Sequence, residues 1–306
     1  MGVPDPLTAA LLIIGLGFPP AIIYLFFFYR RDRWDPEPFK LVLSVFLFGV
    51  IACEIALFFN TFNLYVLLGG NVPLMSIVSA PVVEESLKWG VVFFAVYGVT
   101  RFNHPLDGFV CGAAVGLGFA AFENVQYMLM AWVAGDTPEL LTQAAVRGVF
   151  MASGHPIFTG TSCFFLGVAA FMPSGLRRYA VALGGLGLAM GLHATWNVIA
   201  LTWAIWGFEG FVLLGIVFAG AALLLVSTYT NEGLNRSPFH PTRWTPLSSA
   251  VLSAHIRKAA KSAGATGFFP LRFCPHCNAS LAAVARFCPS CGTQVSTEAG
   301  VPNGDE

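Results

Sequence analysis

Seven times between residues 7 and 228 the chain runs through an apolar stretch long enough to cross a hydrocarbon core about 30 Å thick. The stretches fall at residues 7–29, 39–59, 74–99, 106–133, 147–171, 180–204 and 209–228. A backbone in lipid must satisfy its own hydrogen bonds, so this pattern predicts an all-α polytopic membrane protein of about seven transmembrane helices. With 56% of its 306 residues hydrophobic and only 10% charged, the chain is excluded from the soluble globular class. The segment before the first stretch has no basic residue, and the stretch exceeds the apolar core of a signal peptide, so it reads as a retained span.

Basic residues occupy alternate connections. Arg30, Arg31, Arg33 and Lys40 follow the first stretch, Arg101 the third, and Arg177 and Arg178 the fifth. The other connections hold only Arg147, at the border of the fifth stretch. The positive-inside rule then places the protein in the cell membrane with its N-terminus outside and its C-terminal tail in the cytoplasm.

Composition divides the chain into a membrane domain at 1–230, a polar linker at 231–269, a small module at 270–296 and a disordered tail at 297–306. The linker includes a short basic segment near 255–261. In the small module, Cys274-Pro-His-Cys277 and Cys288-Pro-Ser-Cys291 supply four thiolates for a structural zinc. Asn278 and Gly292 follow the two knuckles, where the chain must turn tightly. A reducing cytoplasm disfavours the alternative of paired disulfides. All four coordination positions are filled by sulfur, so the module is expected to dock a cytoplasmic protein partner or to regulate rather than to catalyse. Cys53, Cys111 and Cys163 stand singly in apolar stretches and read as small buried hydrophobes.

Ionisable residues at membrane depth are costly unless paired, protonated or metal-bound, and so mark function. Glu84, Glu85 and Lys88 crowd the third stretch; Glu123, Asn124 and Gln126 lie in the fourth, His155 in the fifth, and His193 and Asn197 in the sixth. At 1.5 Å per residue they fall in one layer roughly 10–18 Å below the outer surface, as a site shared between helices requires. Glycines at 108, 112 and 116, and at 184, 187 and 191, let helices approach there. Pro81 is expected to kink the third span and free a carbonyl toward the site, and Gly154-His155-Pro156 to restart a helix within the membrane.

Glu84, Glu85 and Glu123 against Lys88 leave two negative charges, which two protons or one divalent cation would neutralise. With a cation, Glu84, Glu123, His155 and His193 are the candidate ligands of a catalytic metal such as zinc. Without one, a glutamate acts as general base while histidine and asparagine stabilise an oxyanion. Both schemes activate water. Neighbouring helical residues point about 100° apart, so Glu84 is read as base or ligand and Glu85 as its support or the partner of Lys88. Glu54 reads as interfacial or paired, Asp107 as a helix-dipole residue, and Asn124, Gln126 and Tyr127 as supporting the site.

Glu84-Glu85-Ser-Leu-Lys88, Phe119-Ala-Ala-Phe-Glu123, His155-Pro156 and His193-Ala-Thr-Trp-Asn197 resemble, in order, the EExxK, FxxxE, H and HxxxN motifs of the PrsW family of bacterial intramembrane proteases. The resemblance covers spans three to six and implies cleavage of a peptide bond in a single-span membrane protein within the bilayer, such as an anti-sigma factor. It implies catalytic roles for Glu84, Glu85, Glu123, His155, His193 and Asn197, with Lys88, Phe119 and Asn124 in support. CAAX prenyl endopeptidases are distantly similar but carry histidine where Glu123 stands, so their metal-free mechanism does not transfer directly. No nucleic-acid partner is expected for the membrane domain. A proton-coupled transporter uses the same residue types but predicts an internal repeat of broken helices, which the sequence lacks. A seven-span sensor without catalysis is the third reading.

Overall fold

The computed structural model describes residues 4–32, 36–97, 102, 104–149, 154–172 and 175–236, with 272–273, 276 and 280–281 beyond them. The membrane domain is helical among the described residues. Helices α1 (Pro6–Tyr29) and α2 (Phe39–Phe62) are each 24 residues long. Helix α2 continues through a π-helical turn, Asn63–Leu67, into a hairpin. The chain returns through the single turn α3 (Val72–Leu74), a second π-helical turn (Met75–Ser79) and α4 (Ala80–Ala95). Then come α5 (Pro105–Val133), α6 (Thr137–Val149) and α7 (Gly154–Ala170). Last is α8 (Leu176–Arg236), broken at Gly207, whose φ of 67° few other residues adopt.

Helix α5 forms the axis and packs chiefly against α7, α2 and α1, while α7 also packs on α8. It is buried along nearly its whole length, whereas α1 and the last part of α8 show most of their apolar side chains to the surroundings. A helix apolar on all sides must be covered by protein or lipid, and both solutions occur here.

The glycine stripe of α5 permits its contact with α7. A Cβ at Gly116 would stand 2.5 Å from the His155 carbonyl oxygen, and one at Gly108 2.1 Å from that of Cys163. The second stripe behaves otherwise. Gly184, Gly187 and Gly191 have nothing within 4 Å of a Cβ position, so the expectation that they pack at the site is corrected: no described helix lies opposite them.

Four helices meet the length and hydropathy of a membrane span: Pro6–Tyr29, Phe39–Leu67, Pro105–Val133 and Ile205–Asn235. The expected fifth span at 147–171 falls on two described helices. Its first residues belong to the amphipathic helix α6, which is described to Val149, and the apolar α7 is described from Gly154; the residues between them lie outside the described ones. Cys53, Cys111 and Cys163 are buried free thiols, as expected.

Beyond the membrane domain, strands β1 (Arg272–Phe273) and β2 (Ser280–Leu281) pair antiparallel, with Arg272 opposite Leu281. The expected zinc ligands Cys274, Cys277, Cys288 and Cys291, and the basic segment at 255–261, lie outside the described residues.

Candidate active site

Helices α4, α5, α7 and α8 bring Glu84, Glu85, Lys88, Glu123, His155 and His193 together in the bundle interior. Glu85 is the hub. Its Oε1 accepts from Lys88 Nζ at 2.5 Å and is 2.9 Å from His193 Nδ1, while its Oε2 accepts from Thr159 Oγ1 at 3.0 Å. Glu85 and Lys88 are both fully buried, where an ion pair holds only if its remaining polar sites are also bonded. Lys88 meets that condition through His155 Nδ1 at 3.0 Å and the face of Phe119 at 4.3 Å.

Each histidine has a carboxylate partner. His193 leans on Glu85, and His155 places Nε2 2.8 Å from Glu123 Oε2. A carboxylate behind an imidazole fixes its ring and tautomer, which leaves Nε2 for chemistry at His193, whereas Nδ1 of His155 faces Lys88. Their rings are nearly perpendicular with centroids 5.0 Å apart, and Phe158 stacks on His193 at 5.1 Å.

Glu84 differs from the other carboxylates. Asn60 Nδ2 donates to its Oε1 at 3.1 Å, but the buried Oε2 has no hydrogen-bond partner. That oxygen stands 3.8 Å from His193 Nε2 and 3.9 Å from Lys88 Nζ. Glu85 and Glu123 each hold a cation closely, at 2.5 and 2.7 Å. The unmatched charge of the site therefore rests on Glu84.

The cation on Glu123 is Arg147, which as a border residue had no assigned role. From α6 it places Nη2 2.7 Å from Glu123 Oε2, donates from Nε to Asn124 Oδ1 at 3.0 Å, and lies 3.7 Å over the Tyr127 ring. It changes the charge balance: Glu84, Glu85 and Glu123 against Lys88 and Arg147 leave one negative charge, not two.

Asn197 has a backbone partner. Its Nδ2 donates to the Ser76 carbonyl at 2.7 Å. In the π-helical turn the amide of Ala80 bonds the carbonyl of Met75, so the next donor in that register would be residue 81. That residue is Pro81, which has no N–H, and Asn197 takes its place. The freed carbonyl expected from Pro81 exists, but it receives Asn197 rather than facing the site. One of the two Nδ2 hydrogens of Asn197 is taken in this way.

Of the other residues, Asn124 and Tyr127 support the site through Arg147. Gln126 turns away and donates to Glu54 at 3.4 Å. Asp107 accepts the His104 amide at 2.9 Å at the start of α5 and pairs with the His104 ring, which Asp32 approaches to 3.6 Å. Thr159, Asn60, Phe158 and Arg147 were not singled out by sequence. Thr159 follows His155 by four residues on one helix face and carried the only such signal.

The residues fit a divalent metal. Glu84, His155 and His193 each offer a donor atom within 4.8 Å of the others, and Glu84 Oε2 is a buried oxygen awaiting a partner. Two histidines and a glutamate are a common zinc donor set in hydrolases.

A buried, charged cluster able to activate water, sealed among lipid-facing helices, defines a membrane-embedded hydrolase. Residues 37–226, well over half of the chain, match the family described as PrsW family intramembrane metalloprotease, and the chain belongs to that family. Relatives named Protease PrsW include those of Geobacillus kaustophilus and Bacillus subtilis. The first is 33% identical over 200 residues, 64% of this chain and 83% of the relative; the second is 33% identical over 198 residues, 63% and 85%. That of Oceanobacillus iheyensis is 26% identical over 232 residues, 74% of this chain and 98% of the relative. No solved structure matches significantly. Residues 273–295 match a zinc-ribbon domain. The protein is thus a multi-pass intramembrane protease with a C-terminal zinc ribbon, acting on a membrane protein in the bilayer.

Proposed function

We propose that Glu84 is the residue on which peptide hydrolysis turns. The observation that carries this is its Oε2 beside His193 Nε2, the one fully buried carboxylate oxygen of Glu84, Glu85 and Glu123 that has no hydrogen-bond partner. Asn60 fixes Glu84 through Oε1, so Oε2 is aimed by the fold. Glu85 and Glu123 stay ionised against Lys88 and Arg147 and orient His193 and His155. Asn197 braces the turn that leads into α4.

Glu84, His155 and His193 would hold the divalent ion of the metalloprotease family. When bound, the ion supplies Lewis acidity and brings the pKa of a water near neutrality. The chain's own residues exclude bulk water, hold the histidines and offer Glu84 Oε2. That oxygen is a ligand with the ion present and a proton acceptor in a metal-free scheme.

The substrate is a single-span membrane protein whose apolar segment reaches the site from the bilayer. Seven crossings, with the N-terminus outside and the ribbon in the cytoplasm, fit the charge pattern and the helices α1, α2, α3–α4, α5, α7 and the two parts of α8. The ribbon, with one structural zinc on Cys274, Cys277, Cys288 and Cys291, docks a cytoplasmic protein.

Full-length wild type and Glu84→Gln, offered single-span substrates in proteoliposomes, test the reading: wild type cleaves and the variant does not. Wild type that cleaves nothing while conducting protons, with Glu84→Gln abolishing the conduction, overturns it. Metal analysis of a full-length Cys274→Ser/Cys288→Ser variant is expected to find one remaining divalent ion, lost on adding His193→Gln. An active variant containing no metal would remove the metal.

A further inference from the structure

A cavity of about 410 Å³ opens at the end of α1, lined by Phe26, Phe27, Arg30, Arg31 and Thr230 of α8. It shares no residue with the proteolytic cluster. Three observations converge on it. Neither Arg30 nor Arg31 pairs with a carboxylate among the described residues. The Arg31 guanidinium is steadied 4.0 Å over the Phe27 ring. Thr230 is only 4% exposed, yet its Oγ1 has no hydrogen-bond partner.

An unsatisfied buried hydroxyl costs free energy that a ligand oxygen would recover. Guanidinium groups bind the oxygens of a phosphate by charge-assisted hydrogen bonds, often two at once. The walls narrow the ligand further: Phe26 and Phe27 are partly exposed on the outer side of an apolar helix, so an apolar tail finds company there while the head enters the cavity. Basic pockets between helix ends at the cytoplasmic face suit lipid headgroups. We propose that this cavity binds a phosphate group, carried by an anionic phospholipid of the inner leaflet. Arg30 and Arg31 bind the phosphate oxygens, Thr230 Oγ1 donates the third hydrogen bond, and the acyl chains lie along α1.

The full chain in phosphatidylcholine vesicles tests this by its thermal midpoint, titrated with phosphatidylglycerol in one arm and inorganic phosphate in the other. Wild type is stabilised in a saturable way; a response to phosphatidylglycerol alone assigns the phosphate to a lipid, and an equal response to inorganic phosphate assigns it to a free anion. Arg30→Gln/Arg31→Gln raises half-saturation about thirtyfold, the loss of two interfacial cations. Thr230→Val, nearly isosteric, raises it about fivefold, the worth of one hydrogen bond. Arg177→Gln, an exposed charge that the charge pattern puts on the same face, changes it less than about twofold. The proposal is overturned if neither additive shifts wild type, if Thr230→Val responds as wild type does, or if Arg177→Gln costs as much as the double variant.

Discussion

At the scale of single residues the site is organised by which carboxylate has a cation of its own. Lys88 serves Glu85, Arg147 serves Glu123, and Glu84 is left with the net charge. Arg147 works at two removes from the chemistry, by fixing Glu123, which in turn fixes His155. Arg147→Met is therefore expected to lower kcat roughly 10–100-fold, the usual effect of losing such a support, with KM nearly unchanged. On a Glu123→Gln background the same change adds less than about twofold, because the carboxylate it serves is gone. Arg147→Lys restores part of the rate through its charge but cannot reach Glu123 and Asn124 together. Losses that simply add across the two backgrounds would reduce Arg147 to a structural tie. Nothing in the sequence disclosed this residue's part: one arginine at the border of an apolar stretch looks like an interfacial anchor, and its partners sit over twenty positions away.

Among the elements, the α5–α7 contact decides the placement of His155, and glycine decides the contact. Gly116→Ala would press a methyl group into the His155 backbone, and overpacking of this kind costs about 1–3 kcal/mol. Gly187→Ala, with open space around it, stabilises by up to about 1 kcal/mol through helix propensity. Reversible unfolding in micelles measures both. The two stripes were indistinguishable in sequence, because spacing shows that a helix has a small face and not whether another helix meets it. The amphipathic helix α6, from Thr137, was not legible as an element, because the fifth apolar stretch begins only at its end. At the start of α5, His104 is a further test. Burial opposes its charged form, but Asp107 and Asp32 outweigh that and raise its pKa to about 10. A folded-state pKa above the ordinary value of 6.5 means a stabilisation that is full below that pH and lost as pH climbs through about 10. The stability difference between wild type and His104→Gln is expected to shrink over that window, and a constant difference would contradict the charge pairing.

For the whole molecule, the sequence carried the architecture well. Apolar stretches and paired CxxC knuckles led to a helical membrane protein with a zinc ribbon, and the resemblance of the EExxK, FxxxE, H and HxxxN motifs led to a protease, which the family matches bear out. What it could not carry were contacts made to backbone, such as Asn197 on Ser76, where the donor's partner depends on the register of a π-helical turn. With Glu84 carrying hydrolysis as proposed, the cut falls inside the bilayer rather than at its edge. Mass spectrometry of products from a reconstituted single-span substrate tests this directly. Wild type is predicted to release fragments whose new termini lie within the apolar segment, and Glu84→Gln to leave that segment whole. Termini found only in the polar flanks, or the same intramembrane cut made by Glu84→Gln, would contradict it.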